Sequence, residues 1–459
     1  MLAKPAITEL KALLGPEYFS TRSEDLVLYA SDGSNRTEFL PEAVARPGTT
    51  AEVAALIGIA RKYKIPLVPR GAGSGLSGGA LPVAGGLVVI MNRFNRILEI
   101  DAANLVAIVE PGVITGKFQA AVEAQGLFYP PDPASREFST LGGNAAENAG
   151  GTRAVKYGVT RDYILGLEAV IGTGEVIQTG VRTAKGVVGF DLTRLVVGSE
   201  GTLGIITRLI LRLVPAPEAK ETMVAYYDDM DAAAKTIAAL TAAKVIPATV
   251  EFMDHDSINF LEDYKSFGLD RKAGALLLIE TDGSIQQAKA DAETTARVCR
   301  ECGARQIKFA SSAAEAELMW QARRALSTAI CRAASGKYNE DVVVPRTLIP
   351  EMLARLEVIG KKHRVLIINF GHAGDGNIHL NVMYNKYDPE EVRRAEEACR
   401  EIFITTLELG GTISGEHGVG IAKKDYIALE IPAECLNLML RVKAAFDPDG
   451  IMNPGKIFP

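Results

Sequence analysis

Eleven residues, Pro69-Arg70-Gly71-Ala72-Gly73-Ser74-Gly75-Leu76-Ser77-Gly78-Gly79, constrain this chain more than any others. An apolar run, Ile65-Pro66-Leu67-Val68, precedes them and another, Leu87-Val88-Val89-Ile90, follows, so the stretch reads as a loop between two short buried strands. Glycine permits positive φ and the close approach of a ligand, so successive backbone N–H groups can converge on one anion, and Arg70 adds positive charge. A pyrophosphate suits such a loop. A G-x-G-x-x-G fingerprint would need its third glycine where Leu76 stands and a helix directly after it. A flexible linker is seldom wedged between two apolar strands.

At 459 residues the chain is long enough for about two or three domains. A net charge of −6 offers no basic surface for nucleic acid or anionic lipid. The first residues lack the apolar core of a signal peptide, and no run reaches the roughly 18 apolar residues of a membrane span, so the expected location is cytoplasmic. The five cysteines (Cys299, Cys302, Cys331, Cys399 and Cys435) form no regular framework. Cys299 and Cys302 make one C-x-x-C in an expected helix, where further cysteines would be needed for a metal or iron–sulfur site. They read as thiols of a structural helix.

The helical spacing of residues 51–63 and the strand at 65–68 open an α/β or α+β domain. A second glycine-rich stretch, 141–151, and a third, 198–206, follow in the same half of the chain. Small residues there let the backbone lie flat against something large and planar, with Asn144 and Asn148 as amide donors and acceptors. Three such stretches in one domain point to a long ligand lying across them. At Val214-Pro215-Ala216-Pro217 this character stops. Beyond it, strand, helix and strand recur twice between residues 223 and 309, the pattern of a ferredoxin-like antiparallel sheet backed by helices. The expected domains are 1–217, 218–410 and a last stretch, 411–459, that returns to the first.

Residues 365–384 carry two β-like runs around a Gly-Asp-Gly-Asn turn and read as a hairpin. On its second strand His379, Asn381 and Met383 share one face, and His372 sits across the turn from His379. Two imidazoles so placed can grip one divalent metal. Ser414-Gly415-Glu416-His417-Gly418-Val419-Gly420 adds a carboxylate and another imidazole, and three of the chain's five histidines fall in these two motifs. His372, His379 and Glu416 make a three-ligand set with open positions for substrate, leaving His417 to act as a base. Metal-dependent hydrolysis would use the same ligands but leaves the three glycine stretches without a purpose.

Together, Pro69 to Gly79, Gly371-His372-Ala373-Gly374-Asp375-Gly376-Asn377-Ile378-His379 and Gly415-Glu416-His417-Gly418 resemble the FAD-linked oxidases of the vanillyl-alcohol oxidase/p-cresol methylhydroxylase fold. Within them the chain is similar to the branch of D-lactate dehydrogenase, the glycolate oxidase D-subunit and D-2-hydroxyglutarate dehydrogenase. The resemblance extends to the closing Asn453-Pro454-Gly455-Lys456-Ile457-Phe458-Pro459. It implies an α+β fold: a two-part FAD-binding domain and a ferredoxin-like cap with a large antiparallel sheet.

It also implies dissociable FAD, its pyrophosphate on Arg70, Gly71, Ala72, Gly73, Ser74, Gly75 and Gly78. Asp132, Gly142, Gly143, Asn144, Asn148, Gly150, Gly151, Glu200, Gly201 and Ile205 would line the rest. His372, His379 and Glu416 would hold zinc, iron or manganese. Arg323 would pair with a substrate carboxylate, Asn381 would hydrogen-bond it, and Ser327 stands where the family often has threonine. His417 would take the hydroxyl proton while hydride passes from C2 to flavin N5. The implied activity is oxidation of a small D-2-hydroxy acid, D-lactate or glycolate favoured. D-2-hydroxyglutarate is an alternative for which Lys337 gives no secure alignment; a catalytically silent flavin-binding subunit is another. Electrons would leave for an electron-transferring flavoprotein, an iron–sulfur subunit or a quinone. The expectation allows a homodimer and attachment to the membrane periphery through a partner.

Overall fold

The computed structural model describes residues 2–34 and 38–459, and the chain divides into two units. Residues 1–150, 159–216 and 416–459 form the first; residues 151–158 and 217–415 form the second.

In the first unit, Leu67–Arg70 and Ala43–Ala45 both pair in parallel with Leu87–Ile90, and Phe19–Ser20 closes a four-stranded sheet. Parallel strands covered on both sides read as unbroken apolar runs, which is why Leu87–Ile90 is buried throughout. Helix Thr50–Tyr63 begins at Thr49, whose side chain accepts the Glu52 N–H, and buries Val53, Leu56, Ile57 and Ala60 in a core shared with helix Lys4–Leu14. A second sheet of five antiparallel strands runs Ile97–Asp101, Val106–Val109, Gly204–Arg212, Ile164–Ile171, Val176–Gly180. The end of the chain comes back onto the first sheet: the Leu67 N–H donates to Ile451 O at 2.8 Å and the Asn453 N–H to Leu67 O at 2.7 Å.

Residues 141–151 do not lie flat along their whole length. Leu141–Glu147 closes as a short helix because Thr140 caps it, accepting the Gly143 N–H, while Gly142 packs against Pro111 where a Cβ would collide.

The second unit is built on one seven-stranded antiparallel sheet. Its order is Gln306–Phe309, Ala219–Tyr227, Ala275–Gly283, Thr249–Asp254, Leu366–His372, Asn377–Tyr384, Gly336–Val343. Numbered along the chain, the first four run 4-1-3-2, the ferredoxin-like order read from the two strand–helix–strand repeats. The hairpin of residues 366–384 and the strand Gly336–Val343 extend that sheet. Helices His255–Tyr264 and Ala313–Ala329 cover one face, packing Ile258, Leu261 and Leu326 on Met253, Leu278, Ile368, Phe370 and Met383. Cys299 is buried in helix Ile285–Glu301 and Cys302 caps its end.

Candidate functional site

The helix-covered face of the large sheet gathers most of the polar residues picked out in the second half of the chain. Antiparallel neighbours standing opposite one another share a face, so Phe370 with His379, and His372 with Glu251, fix one row of side chains. His372 and His379 are buried, with their Nε2 atoms 3.2 Å apart. Behind His372, the fully buried Glu251 accepts from Nδ1 at 2.6 Å, which turns the Nε2 lone pair toward His379. Glu251 also binds Arg323 of the covering helix, accepting Nε at 2.7 Å and Nη2 at 2.6 Å, and the guanidinium stacks 4.8 Å from the Phe370 ring. Burial is the largest influence on Glu251 and opposes its charge, yet His372 and Arg323 together hold its carboxyl below the ordinary value.

Asn381 is fully buried on the same face; its Nδ2 reaches Ile368 O at 3.4 Å, and its Oδ1 has no donor. Ser327, one helical turn beyond Arg323, is exposed, and Lys337 Nζ lies 3.3 Å from its Oγ. The donor set fits a divalent ion. Two imidazole nitrogens about 2.05 Å from one tetrahedral ion stand about 3.3 Å apart, close to the observed 3.2 Å, and Glu251 supplies the outer carboxylate that metal-binding histidines require.

In the first unit the N–H groups of Gly71, Ala72, Gly73, Ser74 and Gly75 donate to no acceptor among the described residues. Five consecutive open amides in a partly exposed loop form an anion cradle that fits a pyrophosphate. Arg70 is buried beneath it and donates to carbonyls, Nη2 to Ser31 O at 2.8 Å and Nη1 to Ala80 O at 3.4 Å. Its charge therefore anchors the loop from below. Gly73 takes φ +69°, and a side chain there would strike that guanidinium. A Cβ on Gly78 would stand 2.5 Å from Ile421.

The remaining expected flavin residues divide between support and lining. Asn144 Nδ2 donates to Thr115 at 2.8 Å, and Asn148 accepts the Arg161 N–H at 2.9 Å from a left-handed backbone. Glu200, at φ +52°, accepts the N–H groups of Val419 and Gly420 at 2.8 and 2.7 Å, clamping the Glu416–Gly420 loop; burial raises its pKa. Gly201 follows with φ +71° and lies against Pro69, while Ile205 is buried in the strand that begins at Gly204. Asp132 sits in the extended segment held by Gln119 through Pro131 O at 2.9 Å. Gly150 lies close to Glu416: a Cβ there would stand 2.6 Å from Glu416 Oε2 and 3.2 Å from its Cβ. Gly151 opens the eight-residue segment that belongs to the second unit, where Lys156 and Tyr157 both bind Asp282. Glu416 and His417 are partly buried residues of the first unit.

Two carboxylates were missed. Glu251 is an acid in the interior of the strand Thr249–Asp254, between Val250 and Phe252, a signal that was available because charged residues are seldom buried without a partner. Glu147 stands among small residues behind the glycine loop, its Oε2 shut off from water without a donor; burial, then Glu200 and Asp32, push its pKa well up.

Residues 41–180 match the model of an FAD binding domain and residues 216–457 that of the FAD linked oxidases, C-terminal domain. The chain is 45% identical over 458 residues to the glycolate oxidase subunit GlcD of Bacillus subtilis (strain 168), covering 100% of this chain and 97% of that one. It is 36% identical to a D-lactate dehydrogenase of Anaerostipes hadrus, covering 98% and 95%. Among solved structures, p-cresol methylhydroxylase with substrate bound superposes with a TM-score of 0.84 at 18% identity, covering 99% of this chain and 97% of that one, which shows the shared fold.

Proposed function

The chain belongs to the FAD-linked oxidases, and from that premise we propose that it oxidises a small D-2-hydroxy acid, D-lactate or glycolate first, to the 2-oxo acid. The names of the Bacillus and Anaerostipes relatives support this substrate class. The observation that carries the reading is the His372–His379 pair at 3.2 Å, backed by Glu251 and flanked by Arg323 and Asn381. Covalent connection supports Glu416 as the third ligand. Asp341 stands opposite His379 and accepts the Gly415 N–H at 2.7 Å, so the peptide leading to Glu416 leaves the sheet at the level of His379.

A divalent ion, when bound to His372, His379 and Glu416, supplies a Lewis acid that lowers the pKa of the substrate hydroxyl. FAD, when bound on the loop of residues 70–78, supplies the acceptor for the hydride that leaves C2. His417 takes the hydroxyl proton, so the hydride carries away both electrons and the proton accounts for the second hydrogen lost from the alcohol. Arg323 keeps Nη1 for the substrate carboxylate while Glu251 holds its other edge, and Asn381 hydrogen-bonds the acid. The electrons then pass to a separate acceptor, an electron-transferring flavoprotein, an iron–sulfur subunit or a quinone; the subunit name of the Bacillus relative supports such an assembly. No helix among the described residues is long and apolar enough to cross a membrane.

The test is anaerobic addition of D-lactate, L-lactate, glycolate and D-2-hydroxyglutarate to the purified flavoprotein. Bleaching by a D-acid or glycolate is expected, and His417→Ala should keep the oxidised flavin spectrum while slowing reduction by at least about 100-fold. A wild-type spectrum that none of the acids bleaches would favour a silent flavin-binding subunit.

A further inference from the structure

Asn339 is a polar residue of the His379 face that none of these roles uses; Asn377, opposite His372 on that face, also has an Oδ1 without a donor, but its Nδ2 donates to Val342 O at 3.2 Å. Asn339 lies on strand Gly336–Val343 directly opposite Asn381, between Asp341, opposite His379, and Lys337, opposite Met383. Both neighbours in this row are engaged: Asp341 accepts the Gly415 N–H, and Lys337 Nζ lies 3.3 Å from Ser327 Oγ. The Asn339 side chain bonds to nothing among the described residues, and its Oδ1 is closed off from water. Oδ1 of Asn381, across the strand pair, is in the same state.

Opposed Cβ atoms in such a pair stand about 4.5–5.5 Å apart, so the two amides form one polar patch in a sheet face otherwise packed with Ile368, Phe370 and Met383. A buried acceptor without a donor forfeits the hydrogen bonds it made to water, and two side by side mark a place where something else donates. The two buried orphaned atoms, Oδ1 of Asn339 and Oδ1 of Asn381, are both acceptors, and a hydroxyl supplies the donor they lack. Two residues of strand span about 6.8 Å, which puts the patch one short substituent away from His379.

We propose that Asn339 determines specificity by binding the substituent on C2 of the substrate, and that the substituent it fits carries a hydroxyl, as in a 2,3-dihydroxy acid. The inference rests on the 2-hydroxy-acid reading above. The second hydroxyl is held and does not react; oxidation stays at C2. A site built to bond a hydroxyl discriminates strongly against the analogue that lacks it. D-glycerate and D-lactate differ by that oxygen alone, and glycolate has no substituent at all.

The experiment compares flavin reduction by D-glycerate, D-lactate and glycolate in the wild type, Asn339→Ala and Asn339→Asp. The wild type should prefer D-glycerate to D-lactate in kcat/KM, a result that would displace D-lactate and glycolate from the head of the substrate class proposed above. Asn339→Ala should lower the glycerate-to-glycolate ratio about tenfold, chiefly through KM, and Asn339→Asp, which keeps the acceptor, should restore most of it. An unchanged ratio overturns the proposal, including the case where both acids lose equally, the mark of a purely structural residue. If glycolate bleaches the wild type while the ratio ignores Asn339, this inference alone falls; if no acid bleaches it, the underlying reading falls too. Should Asn339→Ala fail to fold, Asn339→Leu, which removes the acceptor at similar volume, decides: an unchanged glycerate-to-glycolate ratio in it overturns the proposal.

Discussion

Glu251 joins the two halves of the histidine site: one oxygen fixes the His372 ring, the other holds Arg323, and no water reaches either. Glu251→Gln should therefore weaken two functions together. Leaving Arg323 without its counter-charge in a buried setting costs about 3 kcal/mol of stability, measurable by chemical denaturation of the second unit's transition. Loss of the outer carboxylate should lower divalent-metal affinity about 10- to 100-fold in a titration followed by calorimetry. Unchanged stability would mean that the ion pair makes no net contribution. The histidines themselves were legible in the sequence because a hairpin is local: the turn residues and the period of two place His372 and His379 with no knowledge of the rest. Glu251 reaches His372 across 121 positions, and no local pattern encodes that pairing. Asn339 was hidden for another reason, since Lys337-Tyr338-Asn339-Glu340 reads as an ordinary solvent-facing edge until its register against Asn381 is known.

The glycine loop depends on the last residues of the chain as much as on its own sequence. Asn453, at φ +43°, donates Nδ2 to Gly79 O at 3.0 Å and to Glu200 O at 2.7 Å, so a single amide joins the end of the loop to the residue that clamps Val419 and Gly420. Asn453→Ala leaves two buried carbonyls without this donor and should cost about 2–4 kcal/mol in the first unit. FAD should dissociate more readily from it in an equilibrium fluorescence titration. Asn453→Asp, which lacks the donor, should behave no better than alanine; full FAD affinity in both variants would show that the loop holds its shape unaided. The ferredoxin-like order was readable because each strand–helix–strand repeat is a local change of hydrophobic period. The helix Leu141–Glu147 was not, being too short to display one, and neither was the allegiance of residues 151–158, which Lys156 and Tyr157 settle by binding Asp282 some 125 positions away.

On the scale of the whole molecule, buried charge sets how stability responds to pH. Asp254 caps helix His255–Tyr264, accepting the Ser257 N–H at 2.8 Å and the Asn369 N–H at 3.0 Å, yet burial outweighs both bonds and raises its pKa to about 6. The native state thus keeps a proton that the unfolded chain gives up near pH 4, so stability falls as pH rises from about 4 to 6, by roughly 3 kcal/mol for this group. Lys456 has the opposite slope: burial lowers its pKa to about 8 while its Nζ donates to Leu81 O at 2.6 Å. Here the native state sheds a proton that the unfolded chain retains, so stability rises as pH climbs from about 8 to 10.5. Between the two windows both groups are charged, and each unit carries its full desolvation cost. The joint contribution of these two groups to the stability of the ligand-free protein is therefore lowest between about pH 6 and 8, and the raised pKa values of Glu147 and Glu200 add to the fall that precedes it. Thermal midpoints of the apoprotein across pH 4 to 10.5 measure this. Asp254→Asn should reduce only the acidic slope, and Lys456→Met only the basic one. A wild-type maximum at neutral pH, with slopes that neither substitution alters, would show that these two groups are not the ones that govern it.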